Sequence, residues 1–197
     1  MSFRHYTDLI NNAFEYISPE SYNAISALKQ SFANRAYNND PTIMFGNGAS
    51  ASITEHMVTD WMKGVKTDTN LKPNLISLVS NAALMTAIGN DFGYENVFSQ
   101  QLRYLDYANP LIIAISSSGS SPNVIKALEY AEEKGWICAA LVGFDGGTIV
   151  KNKLANMIIH VPSNNYGVIE DVHSMIMHSI AQDIRKEHKT ENAELKL

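Results

Sequence analysis

Cysteine is nearly absent: Cys138 is the only one in 197 residues. An intrachain disulfide is therefore excluded, and a reducing compartment, the cytoplasm, is expected. Cys138 lies inside the apolar run Trp136–Val142, where burial raises a thiol's pKa, so it reads as a small core residue and not a nucleophile. That run is also the longest clean apolar stretch, far short of the roughly 20 residues that cross a bilayer. The opening MSFRHYTDLINNAF carries no secretory h-region. Positive charge is scarce too. Lys and Arg number 15 against 20 Asp and Glu, a net charge of −5, whereas binding a phosphate backbone asks for a clustered basic excess. No direct nucleic-acid partner and no membrane are expected. Repeats, low-complexity tracts and linkers are missing as well, which points to a single domain over 1–197. What is present is 45% hydrophobic and 18% charged residues, the composition of a chain that buries a core.

The first 40 residues read as two helices, 3–17 and 21–37, with apolar residues at three-to-four spacing and Ser18-Pro19 between them. After Asn38-Asn39-Asp40-Pro41 the pattern changes. Short β-branched or apolar runs (42–45, 75–79, 111–115, 136–142, 157–161) alternate with helical stretches from about 50, 81, 122, 148 and 167. This alternation predicts an α/β fold, a flavodoxin-like parallel sheet of about five strands with helices on both faces and two helices ahead of it. The α/β core is expected over 41–186 and a fraying polar tail over 187–197.

Two strand-to-helix junctions stand out. The first is Ser116-Ser117-Ser118-Gly119-Ser120-Ser121-Pro122, at the carboxyl end of a strand, where open α/β sheets bind ligands. Ser121 suits an N-cap and Pro122 the first helical position. The free N–H groups and positive dipole end of the helix, with hydroxyls beside them, suit a phosphate. No Gly-Lys-Ser/Thr follows, so nucleotide hydrolysis has no support and no nucleotide cofactor is expected. The second junction, Gly46-Asn47-Gly48-Ala49-Ser50, lacks the third glycine of a dinucleotide fingerprint. It reads as a ligand-facing wall beside the serine loop.

These motifs together resemble the SIS (sugar isomerase) domain and, within it, the phosphoheptose isomerase family. The matching stretches are GNGAS (46–50), the helix with His56, AIGNDFGYENVF (87–98), ISSSGSSPNVIKA (115–127), DGG (145–147), VPS (161–163) and EDVHSMIMH (170–178). The resemblance implies an aldose–ketose isomerase that converts sedoheptulose 7-phosphate to D-glycero-D-manno-heptose 7-phosphate for lipopolysaccharide or another surface glycan. It also implies a homotetramer with sites at subunit interfaces. By matched position it assigns substrate contacts to Asn47, Gly48, Ala49, Ser50, Asn90, Asp91, Ser116, Ser117, Ser118 and Ser121.

Such an isomerase moves a proton between adjacent carbons through an enediol and so needs a base, an acid and stabilisation of an oxyanion. His56 and Asp60, four apart, share a helix face. Glu170 and His178 are about 12 Å apart along a second helix. The resemblance gathers these four around the reacting carbons, with Asp60 as base, His178 as acid and Glu170 also a substrate contact. It further implies one divalent metal on the same four, zinc by preference. Two positions depart from the family: Asp60 stands for its usual glutamate and Glu170 for its usual glutamine. Of the remaining candidates, Lys63 lies near the family's usual arginine. His173 is explained by an i,i+3 contact with Glu170, His160 is structural, and His5 and His188 are exposed. The alternatives to catalysis are a non-catalytic adaptor of the type that binds the replication initiator and a sugar-phosphate-responsive regulator.

Overall fold

The fold is given by a computed structural model, which describes residues 2–191. Helices α1 (Phe3–Glu15) and α2 (Pro19–Asn38) come first. Ser18 caps α2 by accepting from the Ser21 N–H, Pro19 fills the first turn, and Asn39 closes the helix in the left-handed region at φ 61°. Strand β1 (Pro41–Gly46) leads into α3 (Ala49–Thr59), which continues through a π-helical turn, Asp60–Val65, into the short α4 (Lys66–Asp68). Then follow β2 (Asn74–Ser77), α5 (Ala82–Phe92), α6 (Ser99–Leu105), β3 (Leu111–Ser116), α7 (Pro122–Glu133), β4 (Ile137–Val142), α8 (Gly147–Asn152), β5 (Met157–His160) and α9 (Tyr166–Glu187).

The five strands form one parallel sheet in the order β2-β1-β3-β4-β5, as the alternation of runs predicts. Both faces are covered, which is why the strands read as continuous apolar runs instead of alternating ones. On one face Met44, Ile113, Ile115 and Leu141 meet Phe32, Trp61, Val172 and Met177 from α2, the π turn and α9. On the other face Phe45, Ile112, Ala114 and Cys138 meet Phe98, Leu102, Val124 and Leu128. Trp61 is fully buried, packs at a tilt against Phe32 with ring centroids 4.1 Å apart and donates from Nε1 to the Met177 carbonyl at 3.3 Å. The widened π turn is thereby anchored to α9.

Several local expectations change. The stretch between β2 and β3 holds a 3₁₀ turn at Tyr94–Asn96 and helix α6, neither of which the apolar spacing announces. His173 makes no hydrogen bond to Glu170. It is fully buried and holds the Val142 carbonyl from Nε2 at 3.1 Å. The expected fraying does not begin at 187, because Lys189 bridges Thr69 and the Thr190 N–H donates to the Asp68 carbonyl. The rest of that tail, 192–197, lies outside the described residues. His160 holds the Phe144 carbonyl at 2.8 Å, a structural role, and His5 and His188 are exposed.

Candidate active site

Strand order reverses between β1 and β3, and at such a switch point the loops leaving the two strands diverge and open a crevice. Asn47 and Gly48 follow β1, and the serine loop follows β3, so the two junctions face one another across it. A cavity of about 160 Å³ opens there, lined by Asn47, Ser50, Ser116, Ser117, Ser118, Ser121, Tyr166 and Glu170. All but Tyr166 are residues that the sequence nominates.

The serine loop is held from behind by the Asp145-Gly146-Gly147 turn. The Gly143 N–H donates to the Ser117 carbonyl at 2.8 Å and the Ile149 N–H to the Gly119 carbonyl at 3.0 Å. Gly119 has φ +59°, and a Cβ there would lie 2.1 Å from the Gly146 carbonyl oxygen, so only glycine fits. The front of the loop is left open. Ser121 occupies the N-cap position of α7 but caps nothing with its hydroxyl. The Ser116 hydroxyl, in a residue 5% exposed, is buried without a hydrogen-bond partner. A buried hydroxyl left unpaired costs about 1–3 kcal/mol. An oxygen-rich ligand in this cavity would remove that cost. Lys and Arg do not line it, so an anion there would be held by hydroxyls and by the positive end of α7.

Glu170 enters the cavity from the first turns of α9. Burial pushes its carboxyl above the usual carboxylate range, and neighbouring Asp171 adds to the shift. Tyr166 begins α9 and packs edge-on against Phe144, with centroids 4.6 Å apart. In the sequence its only signal is an aromatic side chain one helical turn before Glu170.

Further along α9, His178 meets His56 of α3, with their Nε2 atoms 2.9 Å apart. Nδ1 of His178 lies 2.9 Å from the Ser174 carbonyl oxygen, which only accepts, so that nitrogen carries a hydrogen. In the neutral ring Nε2 of His178 is then the acceptor and His56 donates. Asp60 opens onto a different cavity of about 440 Å³, with His56, Lys63, Asp68 and Arg185 in its wall. Nε of Arg185 donates to Asp68 at 2.5 Å.

The nominated residues thus fall into three groups. Asn47, Ser50, Ser116, Ser117, Ser118, Ser121 and Glu170 share the cavity, and Gly48 and Ala49 begin α3 beside it. His56 and His178 pair, and His56 and Asp60 share a wall as their spacing requires. Asn90 and Asp91 are exposed on α5 and bond to each other at 2.8 Å, outside the cavity. The four proposed metal ligands do not converge: among the described residues no three His, Cys, Asp or Glu side chains form a group able to hold a metal. The histidine pair supplies two donors where a catalytic zinc takes three from protein, so this donor set does not fit the ion.

A family model described as SIS domain matches residues 5–143. Phosphoheptose isomerase of Sulfurimonas denitrificans is 40% identical over 146 residues, 74% of this chain and 73% of that protein. Phosphoheptose isomerase of Geobacter sp. strain M21 is 36% identical over 171 residues, 87% of this chain and 85% of that protein. Among solved structures, phosphoheptose isomerase of Neisseria gonorrhoeae superimposes with a TM-score of 0.77 at 27% identity, covering 93% of this chain and 96% of that one. With the serine cavity at the switch point of the sheet and a histidine pair joining α3 to α9, this chain belongs to the phosphoheptose isomerase family of SIS-domain proteins.

Proposed function

We propose that the chain isomerises sedoheptulose 7-phosphate to D-glycero-D-manno-heptose 7-phosphate. The observation that carries this reading is the unpaired, buried Ser116 hydroxyl in a cavity of phosphate size and phosphate chemistry. The phosphate sits among Ser116, Ser117, Ser118 and Ser121 at the start of α7, and the carbon chain leaves the cavity past Tyr166 and Glu170 toward His178.

In the reaction a proton leaves C1 of the ketose, an enediol forms, and a proton arrives at C2 while the hydroxyl proton moves from O1 to O2. Atoms and charge balance without a co-reactant. Asp60 is the base and His178 the acid in this proposal, with His56 holding His178 so that the proton needed at the sugar oxygen can be replaced through the imidazole pair. A carboxylate–imidazole couple suits this chemistry, and no step is routed through a metal, because His56 and His178 supply too few ligands for one. The ionisable groups at Asp60 and His178 favour catalysis over an adaptor or regulator.

The finer setting is proposed with it. The single reduced cysteine supports a cytoplasmic enzyme, and among the described residues no helix is long and apolar enough to cross a membrane. Family membership supports a homotetramer, in which a neighbour's α5 would bring Asn90 and Asp91 to the site, and a place in heptose supply for lipopolysaccharide or another surface glycan. The test is incubation of purified protein with sedoheptulose 7-phosphate and detection of the aldose. Turnover that Asp60→Asn and His178→Asn each reduce at least about 100-fold is expected. No aldose from the intact protein would remove the reading.

A further inference from the structure

Asn123 is the second residue of α7, is 2% exposed and has no role in the site as described so far. Its Oδ1 accepts from the Val124 N–H at 3.0 Å, an N–H shared with the Ser121 carbonyl. A backbone N–H only donates, so the oxygen of the Asn123 amide must face it. The flipped amide would set hydrogen against hydrogen. With that orientation settled, the next one follows. Asn123 Nδ2 donates to Asn47 Oδ1 at 2.9 Å, and Asn47 Nδ2 donates back to Asn123 Oδ1 at 2.8 Å. The Tyr94 hydroxyl donates to Asn47 Oδ1 at 3.1 Å and fills its second lone pair. Asn47 Nδ2 has given one hydrogen to Asn123 and keeps the other, which has no partner among the described residues.

Asn47 stands between two openings. It lines the serine cavity and also an adjoining cleft of about 450 Å³ with Tyr94, Ser121 and Pro122. We infer that Asn123 is a positioning residue: it fixes the Asn47 amide with its nitrogen toward the ligand, so that one N–H is held ready for an oxygen of a bound phosphosugar. A free asparagine presents oxygen or nitrogen with little preference, and the oxygen face would repel a phosphate or hydroxyl lone pair. The backbone of α7, which begins the anion site, thereby also sets the polarity of the opposite wall. This rests on the reading that the serine cavity takes a phosphosugar.

The experiment uses Asn123→Ala and Asn123→Asp in the full chain. Inorganic phosphate binding is measured by calorimetry, KM and kcat with sedoheptulose 7-phosphate, and the Asn47 side-chain NH₂ by nuclear magnetic resonance. In the wild type, phosphate should shift one of the two Asn47 amide protons and leave the other. In Asn123→Ala, phosphate affinity should fall and KM rise by about tenfold, with kcat within about threefold and the selective shift lost. An Asn123→Ala protein that folds and keeps both constants within about twofold overturns the inference. Where that variant does not fold, Asn123→Asp decides. It keeps the Val124 bond but sets an oxygen against Asn47 Oδ1. Loss of the selective shift together with affinity supports the role, and unchanged values overturn it. A wild type that neither binds phosphate nor turns over the sugar removes the underlying reading and this inference with it, whereas an intact wild type with indifferent variants removes the inference alone.

Discussion

Glu170 is the one carboxyl among the residues lining the serine cavity, and it stands beside the proposed phosphate position. Burial and Asp171 both favour its neutral form, which lessens repulsion of the anion. Its affinity consequence has a definite sign. As pH rises and Glu170 ionises, it repels the ligand, so Glu170→Gln should bind inorganic phosphate more tightly than the wild type. The ratio should grow as pH rises above the ordinary carboxylate range. Calorimetry of both proteins across that range checks it, and a ratio independent of pH would count against a carboxyl that titrates in the cavity. His173 makes a second residue-scale prediction. Burial holds its imidazole down at about 4 against an ordinary 6.5, so the unfolded chain takes up a proton there before the folded one does. Both forms are neutral above 6.5, and stability is lost as pH falls from about 6.5 to about 4. The gap between the folded and unfolded imidazole corresponds to about 3 kcal/mol. Urea unfolding should show this acid loss in the wild type and a smaller one in His173→Gln, which keeps a donor for the Val142 carbonyl.

Elements decide what single residues do here by bringing backbone very close to backbone. The serine loop and the Asp145-Gly146-Gly147 turn touch through glycines: besides the Gly119 contact, a Cβ on Gly147 would lie 2.4 Å from the Ser118 carbonyl oxygen. Gly119→Ala should destabilise the protein by about 3 kcal/mol or more, combining a left-handed backbone with a contact that no rotamer relieves. Phosphate binding should disappear with it, even where the sheet still folds. Thermal melting and calorimetry on the same sample separate the two effects. On the other face of the sheet, the π turn gives α3 an extra residue per turn just where Asp60 sits, a distortion frequent at functional sites. The Trp61 bond to Met177, the residue before His178, ties the segments of the proposed base and acid together through the core.

At the scale of the whole molecule, α5 is covered on one side only. Of its eleven residues Ile88 alone is buried, while Phe92 and the following Tyr94 are 49% and 59% exposed. A helix this apolar and this open suits burial between subunits, in line with the proposed tetramer. Light scattering at micromolar concentration should give four chain masses, and substitution of Phe92 by glutamate should shift the protein toward smaller species. A fully active protein of one chain mass would refute the assembly.

How much of this was legible beforehand follows the same three scales. Strands and helices of the α/β core were readable because parallel strands covered on both faces leave unbroken apolar runs, and capping pairs such as Ser18-Pro19 mark helix starts. The serine loop and the Asn47 loop were readable because small residues at a strand-to-helix junction have few other uses. Local pattern does not encode angular position or flips. Asp60 faces a cavity apart from Glu170, because spacing along two helices says nothing of where they cross. Tyr166 enters the site because α9 begins beside the serine loop, and His173 is buried because α9 crosses over β4. The Asn47 amide takes its orientation from a residue 76 positions away. Composition and spacing therefore determined the sheet and the hydroxyl-rich loop, and the family resemblance alone nominated the kinds of catalytic group. Only the tertiary packing decided which groups meet and which atoms they present, because those depend on contacts between segments distant in the chain.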